Sequence, residues 1–184
     1  MKKYFTLSSL FLMFLSINAQ SINQHQLDSM TAAYEKQVTN KSLPAFIASG
    51  DNGVVNNESF NGKVTFINMW EASCAPCMAE MGALNKLYDT LSNYPDFQFI
   101  SISADNAETI KRIKEKYKIL FNVYHLDEEG CYQMNGGMGY PTYLITDTKG
   151  IVKYIHAGGS TDNAAIWRFI FLTDIYPAIV KELQ

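Results

Sequence analysis

Cys74 and Cys77 enclose Ala75-Pro76 directly after the apolar run Val64-Thr65-Phe66-Ile67-Asn68-Met69-Trp70. A dithiol at this spacing can close to a disulfide and open again, exchanging electrons with other thiols. The run reads as a buried strand and the residues after Cys74 as a helix, which puts Cys74 at a helix N-terminus. Unpaired N–H groups and the helix dipole favour negative charge there. Because the thiolate is the attacking species in disulfide exchange, Cys74 is the candidate nucleophile. Cys77 follows one turn on, on the same face and within bonding reach. Two bland uses of the pair are weaker. A structural bridge this short closes almost no loop and stabilises little. A zinc ribbon needs a second pair of ligands, whereas the third cysteine, Cys131, stands alone and His25, His125 and His156 are scattered. No metal site is expected.

The rest of the chain must position this pair. Residues 20–42 are polar with scattered apolar positions, compatible with an amphipathic helix or an ordered linker. Leu43 to Ile47 is extended, Asp51-Asn52-Gly53 signals a hairpin, and Asn61-Gly62-Lys63 turns into the strand 64–70. The motif helix runs to about Leu91, with Met81, Leu84 and Leu87 in its apolar stripe. Phe97 to Ser103 is the next strand, and Asp105 or Asn106 caps a helix containing Ile110, Ile113 and Tyr117. Phe121 to His125 reads as a short strand and Asp127 to Met134 as a short helix, stopped by Asn135-Gly136-Gly137. Thr142–Thr146 and Ile151–His156 form a terminal hairpin. A last helix starts near Asp162, and Pro177 breaks it near Thr173-Asp174. Strands alternating with helices and ending in a hairpin predict an α/β fold, a mixed central sheet covered by helices on both faces.

Location and class follow from the ends and the composition. Lys2-Lys3, the apolar stretch Tyr4 to Ile17 and the small residue Ala19 have the three parts of a secretory signal peptide, cleaved after Ala19. An uncleaved membrane anchor is the alternative, but the stretch is short of the ~20 residues a spanning helix wants. The mature chain is then expected in the periplasm or cell envelope, with about 165 residues, enough for one buried core. A net charge of −3 without a long basic run argues against nucleic acid as a partner. A total of 3 cysteines is too few for a disulfide scaffold and fits one redox pair plus one odd residue. Cys131 reads as a small buried side chain with an inert thiol.

Met69-Trp70-Glu71-Ala72-Ser73-Cys74-Ala75-Pro76-Cys77 resembles the active-site segment of the thioredoxin superfamily, and Gly139-Tyr140-Pro141-Thr142 resembles its cis-proline loop. Leu43-Pro44-Ala45-Phe46, Asn61-Gly62-Lys63-Val64 and the leader narrow the resemblance to the TlpA/ResA-like thiol–disulfide oxidoreductases of bacteria. It covers Leu43 to the C-terminus and implies a thioredoxin-like domain over 43–184 with an N-terminal β extension. Cys74 is then the exposed attacking thiolate and Cys77 the buried cysteine that resolves the mixed disulfide. Pro141 holds a cis peptide, Tyr140 offers its backbone to a substrate strand, and Trp70 packs under the motif. Trp70, Ala75, Pro76, Tyr140 and Pro141 form the implied substrate-binding set.

Two positions, Asn68 and Ser73, depart from the superfamily pattern. Asn68 stands where thioredoxins proper carry a buried aspartate, and it cannot titrate. Glu80, three residues after Cys77, lies on the same helix face as both cysteines, and a partly buried glutamate with a raised pKa suits proton exchange with Cys77. Ser73 replaces a bulky tryptophan of many relatives, which leaves the rim of the motif smaller and more polar. The resemblance implies a reductase that needs no organic cofactor beyond the Cys74–Cys77 disulfide. It would act as a monomer on envelope proteins with disulfides, such as apocytochrome c, with electrons from a membrane thiol-transfer protein. The alternatives are an oxidising foldase that donates its disulfide, and a non-catalytic peptide-binding module on the same scaffold.

Overall fold

A computed structural model of the protein describes residues 24–184; the expected leader, residues 1–19, lies outside them. Among the described residues, no helix is long and apolar enough to cross a membrane. The first element is a helix, α1 (Gln24–Val38). A hairpin of β1 (Ile47–Gly50) and β2 (Gly53–Asn56) follows, turning at Asp51-Asn52-Gly53, and a single 3-10 turn covers Asn57–Phe60. Then come β3 (Val64–Trp70), α2 (Ala75–Leu91), β4 (Phe97–Ser103), α3 (Ala107–Tyr117), β5 (Val123–His125) and α4 (Glu128–Asn135). The hairpin of β6 (Thr142–Thr146) and β7 (Val152–Ala157) precedes α5 (Asn163–Trp167), a wide π turn (Arg168–Thr173) and α6 (Ile175–Glu182).

The strands form one sheet in the order β2-β1-β5-β4-β3-β6-β7. β3 pairs in parallel with β4 and antiparallel with β6, so it is central, and every residue of its apolar run is buried. This is the pattern of a strand covered on both faces. Side chains alternate between two cores. Phe66, Asn68 and Trp70 face α2, α3, α5 and α6, while Ile67 and Met69 face α1, α4 and the 57–60 turn. The mixed sheet, the helices on both faces and the added N-terminal hairpin agree with the fold the sequence implies.

Some boundaries move. The strand expected from Phe121 starts at Val123, and Phe121 instead stacks on Phe99 from the preceding loop, with ring centroids 4.4 Å apart. Ile151 makes an isolated bridge to Ser42, so β7 begins at Val152. The last helix breaks where Pro177 required. Pro177 falls in the first turn of α6, where its missing N–H costs nothing.

Of the two residues expected to cap α3, Asn106 does so, accepting from Thr109 N–H at 2.9 Å. Asp105 has a different task. Its carboxylate accepts from the Ala72 N–H at 2.7 Å and from the Ser103 hydroxyl at 2.9 Å, pinning the chain just before the motif.

Residues ahead of the resemblance also pack on the domain. Tyr34 and Val38 of α1 join the second core, and the Tyr34 hydroxyl donates to the carbonyls of Gln133 and Met134, each at 3.2 Å. Gly136, left-handed at φ +63°, ends α4 directly under the Tyr34 ring, where a Cβ would lie 2.2 Å from Cε2.

Candidate active site

Cys74 has extended backbone and caps α2, its sulfur accepting from the Cys77 N–H at 3.2 Å. The two sulfurs are bonded at 2.04 Å, with Cα atoms 5.3 Å apart. Their environments differ. Cys74 is half-buried at the surface end of the helix, and Cys77 is fully buried against the first core. Pro76 lies in the first turn of α2, among N–H groups that have no helical partner in any case.

The Tyr140–Pro141 peptide is cis. The loop around it is held by Thr142 Oγ1 donating to the Gly139 carbonyl at 2.6 Å, Asn135 Nδ2 donating to the same carbonyl at 3.1 Å, and Gly158 N–H donating to the Pro141 carbonyl at 2.8 Å. Gly159 brings the prolines of both loops together. A Cβ there would lie 2.7 Å from Pro141 Cγ and 3.2 Å from Pro76 Cβ. Replacing Gly159 with valine should therefore spread the two proline loops. Overpacking of this kind costs about 1–3 kcal/mol, read as a lower denaturation midpoint. Slower exchange with a protein disulfide than with a small one is expected alongside. Unchanged rates with both substrates would remove Gly159 from the site.

Trp70 is buried under the motif, its indole N–H donating to Ser101 Oγ at 2.7 Å. Glu80, 1 % exposed, sits on the buried side of α2 beside Cys77, and its Oε2 accepts from the Tyr143 hydroxyl. Burial pushes its carboxyl up to about 8, with the Tyr143 hydrogen bond a smaller opposing effect. At neutral pH Glu80 is therefore mostly a neutral acid holding a proton behind the disulfide. Asn68 is buried in the same layer, and its Oδ1 accepts from Ser101 at 3.4 Å.

The structure thus brings Cys74, Cys77, Glu80, Trp70, Ala75, Pro76, Tyr140 and Pro141 to one end of the sheet around the N-terminus of α2. Sequence reasoning missed Tyr143, the hydrogen-bond partner of Glu80, and Asp105 and Gly159, which fix the neighbouring backbone. A period-two pattern places Tyr143 on a strand face, but nothing local names its partner on α2. Cys131 is buried as expected, its sulfur donating to the Leu126 carbonyl at 3.5 Å, and burial pushes its thiol up to about 11. Among the described residues, no group of His, Cys, Asp and Glu is placed to hold a metal ion.

A thioredoxin fold with a redox-capable cysteine pair capping α2 beside a cis-proline loop defines a class, the thiol–disulfide oxidoreductases. The chain belongs to the Redoxin family, whose model matches residues 37–166. It is 28% identical to the thiol:disulfide interchange protein DsbE of Haemophilus influenzae over 166 residues, covering 89% of this chain and 86% of DsbE. With the thioredoxin-like protein YneN of Bacillus subtilis it shares 30% identity over 105 residues, which is 54% of this chain and 59% of YneN. The chain thus spans less than two thirds of that relative. Other relatives carry the name thiol-disulfide oxidoreductase ResA, in line with the TlpA/ResA-like resemblance. For the fold alone, the solution structure of a thiol:disulfide interchange protein from Bacteroides sp. superposes with a TM-score of 0.57 at 24% identity, covering 66% of this chain and 82% of that one.

Proposed function

We propose that this chain is an envelope reductase that opens disulfides in exported proteins through Cys74 and Cys77, with Glu80 exchanging the proton of Cys77. The observation that supports it most is the asymmetry of the pair: a half-exposed Cys74 at the helix cap and a fully buried Cys77 backed by a buried carboxyl. In the reduced enzyme, the Cys74 thiolate attacks one sulfur of the client disulfide, forming a mixed disulfide and expelling the other client sulfur as a thiolate. Glu80 first releases its proton, then accepts that of Cys77, whose thiolate attacks Cys74 Sγ. The bond from Cys74 to the client breaks, and the client thiolates pick up protons. Two electrons have moved from enzyme to client, and the Cys74–Cys77 disulfide remains.

Opening that disulfide again reverses the proton step, because the Cys77 thiolate leaves beside a carboxyl that already holds a proton. Tyr140 presents its backbone to the client segment, with Trp70, Ala75, Pro76 and Pro141 shaping the surface around it. The redox-active disulfide serves as the whole cofactor, and the protein works as a monomer. The sequence of residues 1–19 supports export by a cleaved signal peptide. Since the bacterial envelope is kept oxidising, electrons must come from a membrane thiol-transfer protein. The TlpA/ResA-like resemblance makes the haem-site cysteines of apocytochrome c the first client to test.

The direction of electron flow is tested by the reduction potential of the Cys74–Cys77 pair, with Cys131→Ser as the control. A value near or below about −230 mV is expected of a reductase. A value near about −120 mV would overturn that reading in favour of the disulfide-donating foldase.

A further inference from the structure

Ser101 of β4, Asn68 of β3, Tyr143 of β6 and His156 of β7 lie on one register line across the sheet. Their neighbours on that face, Phe66, Phe99 and Ile145, are apolar. Burying polar groups in such a layer costs free energy unless they are hydrogen-bonded, so a polar line across four strands, ended on β5 by Val123, is not explained by packing alone. Trp70 bonds Ser101, Ser101 bonds Asn68, and Tyr143 bonds Glu80. Two atoms in this layer have no protein partner among the described residues, Asn68 Nδ2 and Glu80 Oε1.

The line ends at the sheet edge on His156, which is a wall shared by two hollows. The inner one, about 210 Å³, is lined by Glu80, Tyr143, His156, Ser160 and Phe169. The outer one, about 330 Å³, is lined by His156, Glu35, Tyr154, Lys153 and Asp174. The inner hollow has room for several waters, and Glu80, Tyr143, His156 and Ser160 offer them polar partners in a wall otherwise built by Gly158, Gly159, Ala165, Ile166 and Phe169. The ionisable groups facing His156 are Glu35 from α1, Asp174 from the start of α6, Tyr154 and Lys153 from its own strand, Tyr143 from β6, and Glu80 across the inner hollow. Burial lowers its pKa, while Asp174 and Glu35 act in the opposite sense. An imidazole has two ring nitrogens and can pass a proton in either direction.

We propose that His156 is the group through which Glu80 exchanges its proton with solvent, by way of the inner hollow. When the disulfide opens, Cys77 leaves as a thiolate and takes the proton of Glu80. The Glu80 carboxylate is then reprotonated through the hollow by the His156 imidazolium, which regains its proton from solvent on the Asp174 side. Oxidation runs the same transfers backwards. Only bonds to hydrogen are made and broken along this path, and the electrons stay with the sulfurs. His156 touches neither cysteine nor client and acts only through Glu80.

The inference rests on the reading of Glu80 as the proton partner of Cys77, and the test separates the two. Reduction of the wild-type disulfide by saturating dithiothreitol is followed by stopped flow across the acid-to-alkaline range, with and without imidazole, beside His156→Gln and Glu80→Gln. His156→Gln is expected to slow the reaction about a hundredfold without moving the inflection set by Glu80, and added imidazole should restore the rate. A wild-type rate in His156→Gln, or a slow rate that imidazole leaves unchanged, overturns the route. Should Glu80→Gln leave the pH profile intact, the underlying reading of Glu80 fails and the route fails with it. A changed profile in Glu80→Gln with a silent His156→Gln rejects the route alone.

Discussion

Cys74→Ser is expected to abolish disulfide exchange, lowering kcat/KM by roughly three orders of magnitude or more, as removal of a covalent nucleophile does elsewhere. Cys74 is the half-exposed member of the pair and caps α2, where the helix N-terminus favours its thiolate. Cys77→Ser should behave differently. The attack by Cys74 still occurs, but nothing resolves the product, so a mixed disulfide with the client accumulates and can be seen on a non-reducing gel. Cys131→Ser should change neither result, because its buried thiol is held protonated. A Cys74→Ser protein with more than a small residual activity would return the chain to the class of peptide-binding modules.

The second large effect concerns stability. Glu80 has an ordinary carboxyl value of 4.5 and is raised by burial to about 8 in the folded protein. A carboxyl raised on folding binds its proton more tightly in the native state, so its contribution is complete below about pH 4.5 and is lost as pH climbs through 8. Each unit between those values is worth about 1.4 kcal/mol, so wild-type stability should fall by about 3–5 kcal/mol across this window. Glu80→Gln keeps the volume and removes the titration. It should flatten the fall and be more stable than wild type at the alkaline end. Denaturant unfolding of both proteins over that range checks the sign. A parallel fall in the two would mean that Glu80 is not the group responsible.

Much of this site could be read from local pattern because the chemistry is local. Cys74 and Cys77 sit on one helical turn, Pro76 and Pro141 carry their backbone meaning with them, and the apolar run 64–70 can hardly be anything but a central strand. Glu80 lies three residues on from Cys77, on the same helix face. What could not be read lies across strands. The line from Ser101 through Asn68 and Tyr143 to His156 depends on the register of β4, β3, β6 and β7, and no residue within that line announces its neighbour. His156 therefore looks like one of three scattered histidines until the sheet is assembled. Asp105 and Asn106 are adjacent and equally suited to cap α3. Only the position of the Ala72 N–H, brought near by the pairing of β3 with β4, divides their tasks. Phe121 has the composition of a strand residue, but its stacking with Phe99 serves the core better than the ladder would.

The seating of Tyr34 over Gly136 bears on how portable this redox unit is. A polypeptide trimmed to begin at Leu43, where the sequence resemblance begins, would keep every residue of the disulfide chemistry. It would also uncover the turn that leads into Met138, Gly139 and Tyr140, together with the apolar surface that Tyr34 and Val38 shield. Grafting or expressing the catalytic unit thus calls for a start upstream of α1.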